Sequence, residues 1–167
     1  MADEAQQSQQ PTTKRHKVLS HLPIAIKVLE VILSIFATGL VVDPMNSFQR
    51  IFNNRPRFKL DDAATIYVTI AGYILINALF IISHALGDRV PKRTLLMFAS
   101  VGGFMHVVAG SLIVHNWRHM NGHYYYVHNN EIHPSKMYMD MLISSAVFTF
   151  VNAVAFVAEI IAIVRYS

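Results

Sequence analysis

The sequence predicts an all-α, polytopic membrane protein built as a bundle of four transmembrane helices. Apolar residues gather into four runs of about twenty residues or more, the length an α-helix needs to cross roughly 30 Å of hydrocarbon. Only 14% of the 167 residues are charged, against about 25% in an ordinary soluble domain. No run shows the weak alternation of an outer-membrane barrel strand, and backbone groups in lipid must be satisfied internally, which leaves helices.

Residues 1–21, "MADEAQQSQQPTTKRHKVLSH", read as a polar tail, disordered and cytoplasmic. Residues 22–167 form the bundle. "KRHK" leads directly into the first span, which fits a retained signal anchor, with cleavage after the small residues at Ala37 to Gly39 as the less favoured alternative. The first span is Leu22 to Val42 and the only one to carry both a cation and a carboxylate, Lys27 and Glu30. The second is Ala63 to Leu86, the third Thr94 to Val114 and the fourth Met141 to Val164. Cysteine is absent, which excludes disulfide-locked loops, thiolate metal sites and cysteine nucleophiles.

Four spans place both termini on one side with the short second loop, "GDRVPKR". That side holds Lys14, Arg15, Lys17, Arg89, Lys92, Arg93 and Arg165; the other holds Arg50, Arg55, Arg57, Lys59, Arg118 and Lys136. The counts are close, but three positives sit in a single seven-residue loop hard against two helix ends, where the positive-inside rule acts most strongly. The termini are therefore expected in the cytoplasm. The net charge of +4 is spread over such short segments, which argues for orientation in a bilayer and against nucleic acid as a partner. The two outer loops are longer. Alternation around Phe48, Arg50 and Phe52, a turn at "NNRP", then Phe58 and Leu60 suggest a hairpin in the first. Tyr124 to Val127 favour a strand in the other, with a turn at Asn129-Asn130. Together the two loops would form a small extracellular β-ribbon.

Every span carries polar residues at helical spacing. Lys27, Glu30, Ser34 and Thr38 form one stripe; Thr65, Thr69, Tyr73, Asn77 and His84 another; Gly102, His106 and Gly110 a third; Ser145, Thr149, Asn152 and Glu159 a fourth. Such stripes are expected to face the bundle interior, because an ionised group against lipid costs at least a few kcal/mol. By depth, Lys27, Glu30, His84 and Glu159 fall at one level in the cytoplasmic half and are expected to form an intramembrane polar cluster. A structural clasp that fixes helix rotation, with Lys27 snorkelling outward, is favoured over a proton or ion relay, since a relay needs polar groups at successive depths and the outer half offers mainly His106. The small-residue pairs Ala99/Gly103, Gly102/Gly110 and Ala158/Ala162 permit close helix contact, within the bundle first and between copies second.

Five of the nine histidines lie between His115 and His133, and His115, His119 and His123 recur at every fourth position. That spacing suits metal ligation. But Asn121-Gly122 signals a turn before His123, and "HNWRH" lacks the general-base Glu of His-Glu-x-x-His hydrolases. Asp61-Asp62 reads as N-terminal capping and dipole charge at the start of the second helix. No catalytic, cofactor-binding or metal-ligating residues are assigned. Trp117, Tyr124, Tyr125 and Tyr126 are expected to supply the contact face of the outer loop, at headgroup level.

Three stretches, "IKVLEVIL" in the first span, "GGFMHVVAGSLIVHNW" in the third and "NAVAFVAEIIAIV" in the fourth, resemble the Snakeskin proteins of arthropod smooth septate junctions, four-span proteins of MARVEL-like or claudin-like architecture. The resemblance covers roughly residues 23 to 165. The Gln-rich tail, the basic first loop and the histidine-rich third loop depart from it, and the claudin signature of Gly-Leu-Trp with two cysteines is missing. The resemblance implies a non-enzymatic protein of the lateral plasma membrane that helps assemble septate junctions and the paracellular barrier, with lipids, other junction membrane proteins and further copies of itself as partners. The alternatives are a MARVEL-like organiser of trafficking or lipid domains, and a proton- or metal-linked transporter or enzyme using the histidines and the intramembrane glutamates.

The orientation is testable in a chain without native cysteines. A cysteine placed at Asn129 should react with an impermeant maleimide on intact cells and one placed at Gln7 should not; the reverse pattern would invert the topology.

Overall fold

The computed structural model describes residues 22–51, 59–88, 90–120, 125–128, 131–134 and 136–166. Four long helices, α1 (Leu22–Ile51), α2 (Leu60–Ala85), α3 (Lys92–Met120) and α4 (Lys136–Tyr166), account for most of them. All four are long and apolar enough to cross a membrane. At 1.5 Å per residue the 30 residues of α1 and the 31 of α4 extend about 45 Å, beyond the ~30 Å of a hydrocarbon core.

The helices pack as a ring in which α1 touches α2, α2 touches α3, α3 touches α4 and α4 closes on α1. Contacts of α4 with α3 and α1 are the most extensive and those between α2 and α3 the thinnest. Both ends of the described chain lie at one end of the ring, beside the α2–α3 turn. The opposite end carries a hairpin between α3 and α4, with strand β1 (Tyr125–His128) antiparallel to β2 (Glu131–Pro134) and Tyr126 opposite His133.

The α2–α3 turn follows from one glycine. Gly87 has φ +87°, which L side chains rarely adopt, and sits just past the cap residue Leu86. The Gly87 N–H donates to His84 O at 3.1 Å and the Asp88 N–H to Ser83 O at 3.0 Å, the paired bonds of a Schellman stop. Pro91 then precedes the first residue of α3, and its carbonyl accepts from Leu95 N at 3.2 Å.

In two places the sequence reading is corrected. Phe48 and Arg50, expected in a hairpin, belong to α1, which runs helical through Pro44 to Ile51; Phe52 and Phe58 lie outside the described residues. Among the described residues the ribbon is formed by β1 and β2 of the third loop. The Asp61-Asp62 pair supplies the expected dipole charge but does not cap α2. Its N-cap is Lys59, with no side-chain cap bond, and both aspartates lie in the first turn, where they favour the helix dipole. Asp62 instead accepts a bond from Asn116 of α3 at 3.1 Å.

Polarity is arranged inside out. Lys27, Glu30, Ser34, Thr69, Asn77, His106, Ser145, Thr149, Asn152 and Glu159 are all buried, while Phe36, Leu75, Phe104 and Val154 are more than half exposed. Near the hairpin end the interior becomes apolar. Val41, Ile66, Ile113 and Leu142, one from each helix, are fully buried there. In the termini half, α3 offers a notch at Gly102 that receives the rings of Tyr73 and Phe156, which meet edge to face at 5.4 Å. Ala99 and Ala162 are buried, whereas Ala158 is exposed and takes no part in the packing.

The notch has a testable consequence. A Cβ on Gly102 would stand 2.6 Å from Tyr73 Cε1 and 2.8 Å from Phe156 Cε1. Gly102→Ala should therefore destabilise the bundle by about 1–3 kcal/mol through overpacking. At Gly72, where an added Cβ meets nothing within 4 Å, alanine should be neutral or stabilise by up to about 1 kcal/mol. Thermal unfolding of the purified variants separates the two.

Candidate functional site

Lys27 does not snorkel outward; it is buried and is the hub of the interior, because its acceptors lie there. Its Nζ donates to Glu159 Oε2 of α4 at 2.8 Å, to Asn77 Oδ1 of α2 at 3.0 Å and to Glu30 Oε2 of α1 at 3.4 Å. An ammonium has three protons, so its donors are fully used. Asn77 Nδ2 in turn donates to Glu30 Oε2 at 3.0 Å, closing a ring. None of the four side chains belongs to a residue more than 2% exposed. The rings of Phe80 and Phe156 flank the ammonium at 5.3 and 5.5 Å, a cation–π contribution in a dry setting.

Of the sequence-level cluster, Lys27, Glu30 and Glu159 are brought together by direct bonds at Lys27 Nζ. His84 is exposed, two turns beyond Asn77 near the end of α2, and lines the wall of a cavity of about 350 Å³ that also reaches Lys27 and Glu159. The α2 residue that joins the cluster is Asn77. It stands in the polar stripe read from the sequence, and the signal that marks it is the cost of an amide inside an apolar run.

A second node lies deeper. Asn152 Nδ2 donates to Ser34 Oγ at 2.8 Å and lies 3.0 Å from His106 Nε2, while His106 Nδ1 lies 2.8 Å from Gly102 O. The Nδ1–H tautomer satisfies both histidine contacts, donating to the carbonyl and accepting from the amide. Phe156 lies between the nodes, 5.0 Å from the His106 ring on one side and under the Lys27 ammonium on the other. Ser145 Oγ then donates to Ala37 O at 2.7 Å, a further tie between α4 and α1. Beyond it begins the apolar layer of Val41, Ile66, Ile113 and Leu142.

The histidine-rich stretch is placed in part. α3 continues to Met120, so His115 and His119 are exposed helical residues, and His123 lies outside the described residues. Among the described residues no group of three or more His, Asp or Glu side chains could hold a metal ion. Trp117 is also helical, half-buried against the apolar cluster, so its ring serves packing as well as any outer contact. Tyr125 and Tyr126 lie in β1, and Tyr124 falls outside the described residues.

The family model described as a domain of unknown function, DUF7775, matches residues 22–164, the whole of the four-helix region bar its last residues. No curated protein and no solved structure matches the chain.

The node at Lys27 makes an ordered set of stabilities. Lys27→Met removes the cation that two buried carboxyls and an amide share and should cost about 3–5 kcal/mol. Glu159→Gln leaves Lys27 with Glu30 and Asn77 and should cost no more than about 0.5–1.5 kcal/mol, the net worth of one hydrogen bond. Denaturation of each variant in detergent measures the order; equal stability of Lys27→Met and the parent would remove the clasp.

Proposed function

We propose that this chain, which belongs to the DUF7775 family, is a non-enzymatic integral membrane protein of epithelial cell junctions that contributes to septate-junction assembly and the paracellular barrier. The observation that carries the membrane part is the inverted polarity: each helix turns its polar stripe inward and its apolar face outward. In water such a surface would aggregate; against lipid it is the stable arrangement. In the proposed orientation the termini and the α2–α3 turn are cytoplasmic, and the hairpin between α3 and α4 is extracellular.

The junction part rests on the resemblance to Snakeskin proteins, and the structure shows where its three stretches fall. "IKVLEVIL" contains Lys27 and Glu30, "GGFMHVVAGSLIVHNW" contains Gly102, His106 and Asn116, and "NAVAFVAEIIAIV" contains Asn152, Phe156 and Glu159. All but Asn116, which bonds Asp62, belong to the two polar nodes and the glycine notch. Each stretch combines such buried residues with exposed apolar ones such as Leu29, Phe104 and Val154. A buried clasp whose donors are consumed by its own partners suits a rigid frame that presents outer loops to a neighbouring protein or cell. Lipids, other junction membrane proteins and further copies of the chain are the proposed partners.

Immunofluorescence in native epithelium tests this reading. A lateral belt is expected; intracellular puncta would favour the trafficking and lipid-domain alternative. Within the belt, Tyr124→Ser combined with Tyr126→Ser should weaken junctional recruitment, because aromatic side chains supply most of the apolar contact area of the outer loop. The triple variant His115→Gln, His119→Gln, His123→Gln should localise as the parent does. Loss of recruitment in the histidine variant alone would transfer the contact to the imidazoles.

A further inference from the structure

The Lys27 node carries an unbalanced charge. One ammonium faces two carboxyls, which leaves one negative charge if both are ionised, in a site whose residues are almost completely buried. The two carboxyls converge on that single ammonium, Glu159 Oε2 at 2.8 Å and Glu30 Oε2 at 3.4 Å. Two ionised carboxylates have only acceptors and repel; a carboxylic acid beside a carboxylate supplies a donor. Glu30 Oε1 and Glu159 Oε1 are both buried and have no hydrogen-bond partner among the described residues. A metal cation in their place would lie against the ammonium, which holds both Oε2 atoms at 2.8 and 3.4 Å.

We propose that the node is a binding site for one proton, shared between Glu30 and Glu159 and exchanged with water through the cavity at the termini end of the bundle. The proton arrives from a hydronium in the cavity: an O–H bond forms on one glutamate oxygen and a water molecule is left behind. The cavity of about 350 Å³ has room for several waters and reaches Glu159 and Lys27 between Pro23, Ile24, Phe80 and Leu95. At its mouth stand His84 and Asp88 from the end of α2 and its turn. The other charged or titratable groups facing the node are few: Lys27 and Glu30 from α1 and Glu159 from α4, with Tyr73 of α2 on the deeper side. From α3, His106 lies behind the Tyr73–Phe156 layer, and Lys92 and Arg93 sit at its exposed start.

Exchange is one-sided. Past the second node the interior closes with Val41, Ile66, Ile113 and Leu142, all at 0% exposure. The site therefore stores a proton and does not pass it across the bundle. Loss of that proton leaves two carboxylates competing for one ammonium, and repulsion between them loosens the hold of α4 on α1. This inference is independent of the junction reading.

Infrared difference spectroscopy on the full chain in lipid nanodiscs tests it. At neutral pH exposed carboxyl groups are ionised, so the wild type should show a carboxylic-acid C=O band arising from the node. The chain has four glutamates, Glu4, Glu30, Glu131 and Glu159, and ¹³C-glutamate labelling should shift the band. The band should vanish in Glu30→Gln and in Glu159→Gln, where the remaining carboxylate pairs with Lys27 as an ion. Leu95→Trp, which fills the cavity, should retain the band and slow its shift in D₂O. A wild-type spectrum without the band overturns the proposal, whatever the variants do. So does a band that ¹³C-glutamate leaves unmoved, or one that survives both glutamine variants. Unchanged exchange in Leu95→Trp overturns the route through the cavity.

Discussion

One ammonium group organises this molecule. Lys27 cannot be left unpaired in an interior this dry, and its three protons meet acceptors from α1, α2 and α4 at 2.8–3.4 Å. Hydrogen bonds are directional, so three acceptors from three helices fix the rotation of each helix about its own axis as well as its distance from the others. Apolar packing alone would tolerate a helix turned by part of a residue; this node does not. α3 supplies none of these three acceptors. It is held by its Gly102 notch, which receives the Tyr73 and Phe156 rings, and by the bonds of His106 with Asn152 and of Asn116 with Asp62.

The interior is then layered along the bundle axis. A charged node at the termini end gives way to an aromatic layer, a neutral amide–imidazole–hydroxyl node, a single serine tie and an apolar plug. Each polar layer is smaller and less charged than the one before. Charge is therefore concentrated at one end, while the hairpin end is held by apolar contacts and the Asn116–Asp62 bond. Such a division leaves the outer loops free to vary without disturbing the register of the helices, which suits a frame whose outer face meets partners.

Much of this was legible in the sequence. The four spans and the inward stripes follow from hydropathy and from spacing near 3.6, and Lys27, Glu30 and Glu159 could be placed at one level by counting residues from the span ends. The same counting selected His84, because depth alone does not say which residue of a helix a long side chain will reach. Lys27 has a four-carbon stem and bonds with Asn77, two turns deeper on α2 than His84. Asn152 was visible as a polar residue in a stripe, but its pairing with His106 and Ser34 needs the ring order of the helices, which a single chain of spans does not state. The end of α1 was hidden for a local reason. Phe48, Arg50 and Phe52 alternate as a strand would, yet the helix runs through Pro44 to Ile51, with Met45 buried in the apolar cluster.

The Lys27–Glu30 pair lies within one helix, three residues apart, and this bears on how the chain is made. Glu159, the partner with the shortest contact, is made 132 positions after Lys27. A lone lysine in an apolar helix would be a burden throughout that interval of synthesis. Glu30 gives α1 its own counter-charge from the outset, one turn away on the same face. α1 is thus locally neutral before Asn77 of α2 and Glu159 of α4 are added to the same ammonium. The 3.4 Å intrahelical pair is the one contact of the node that needs no other helix.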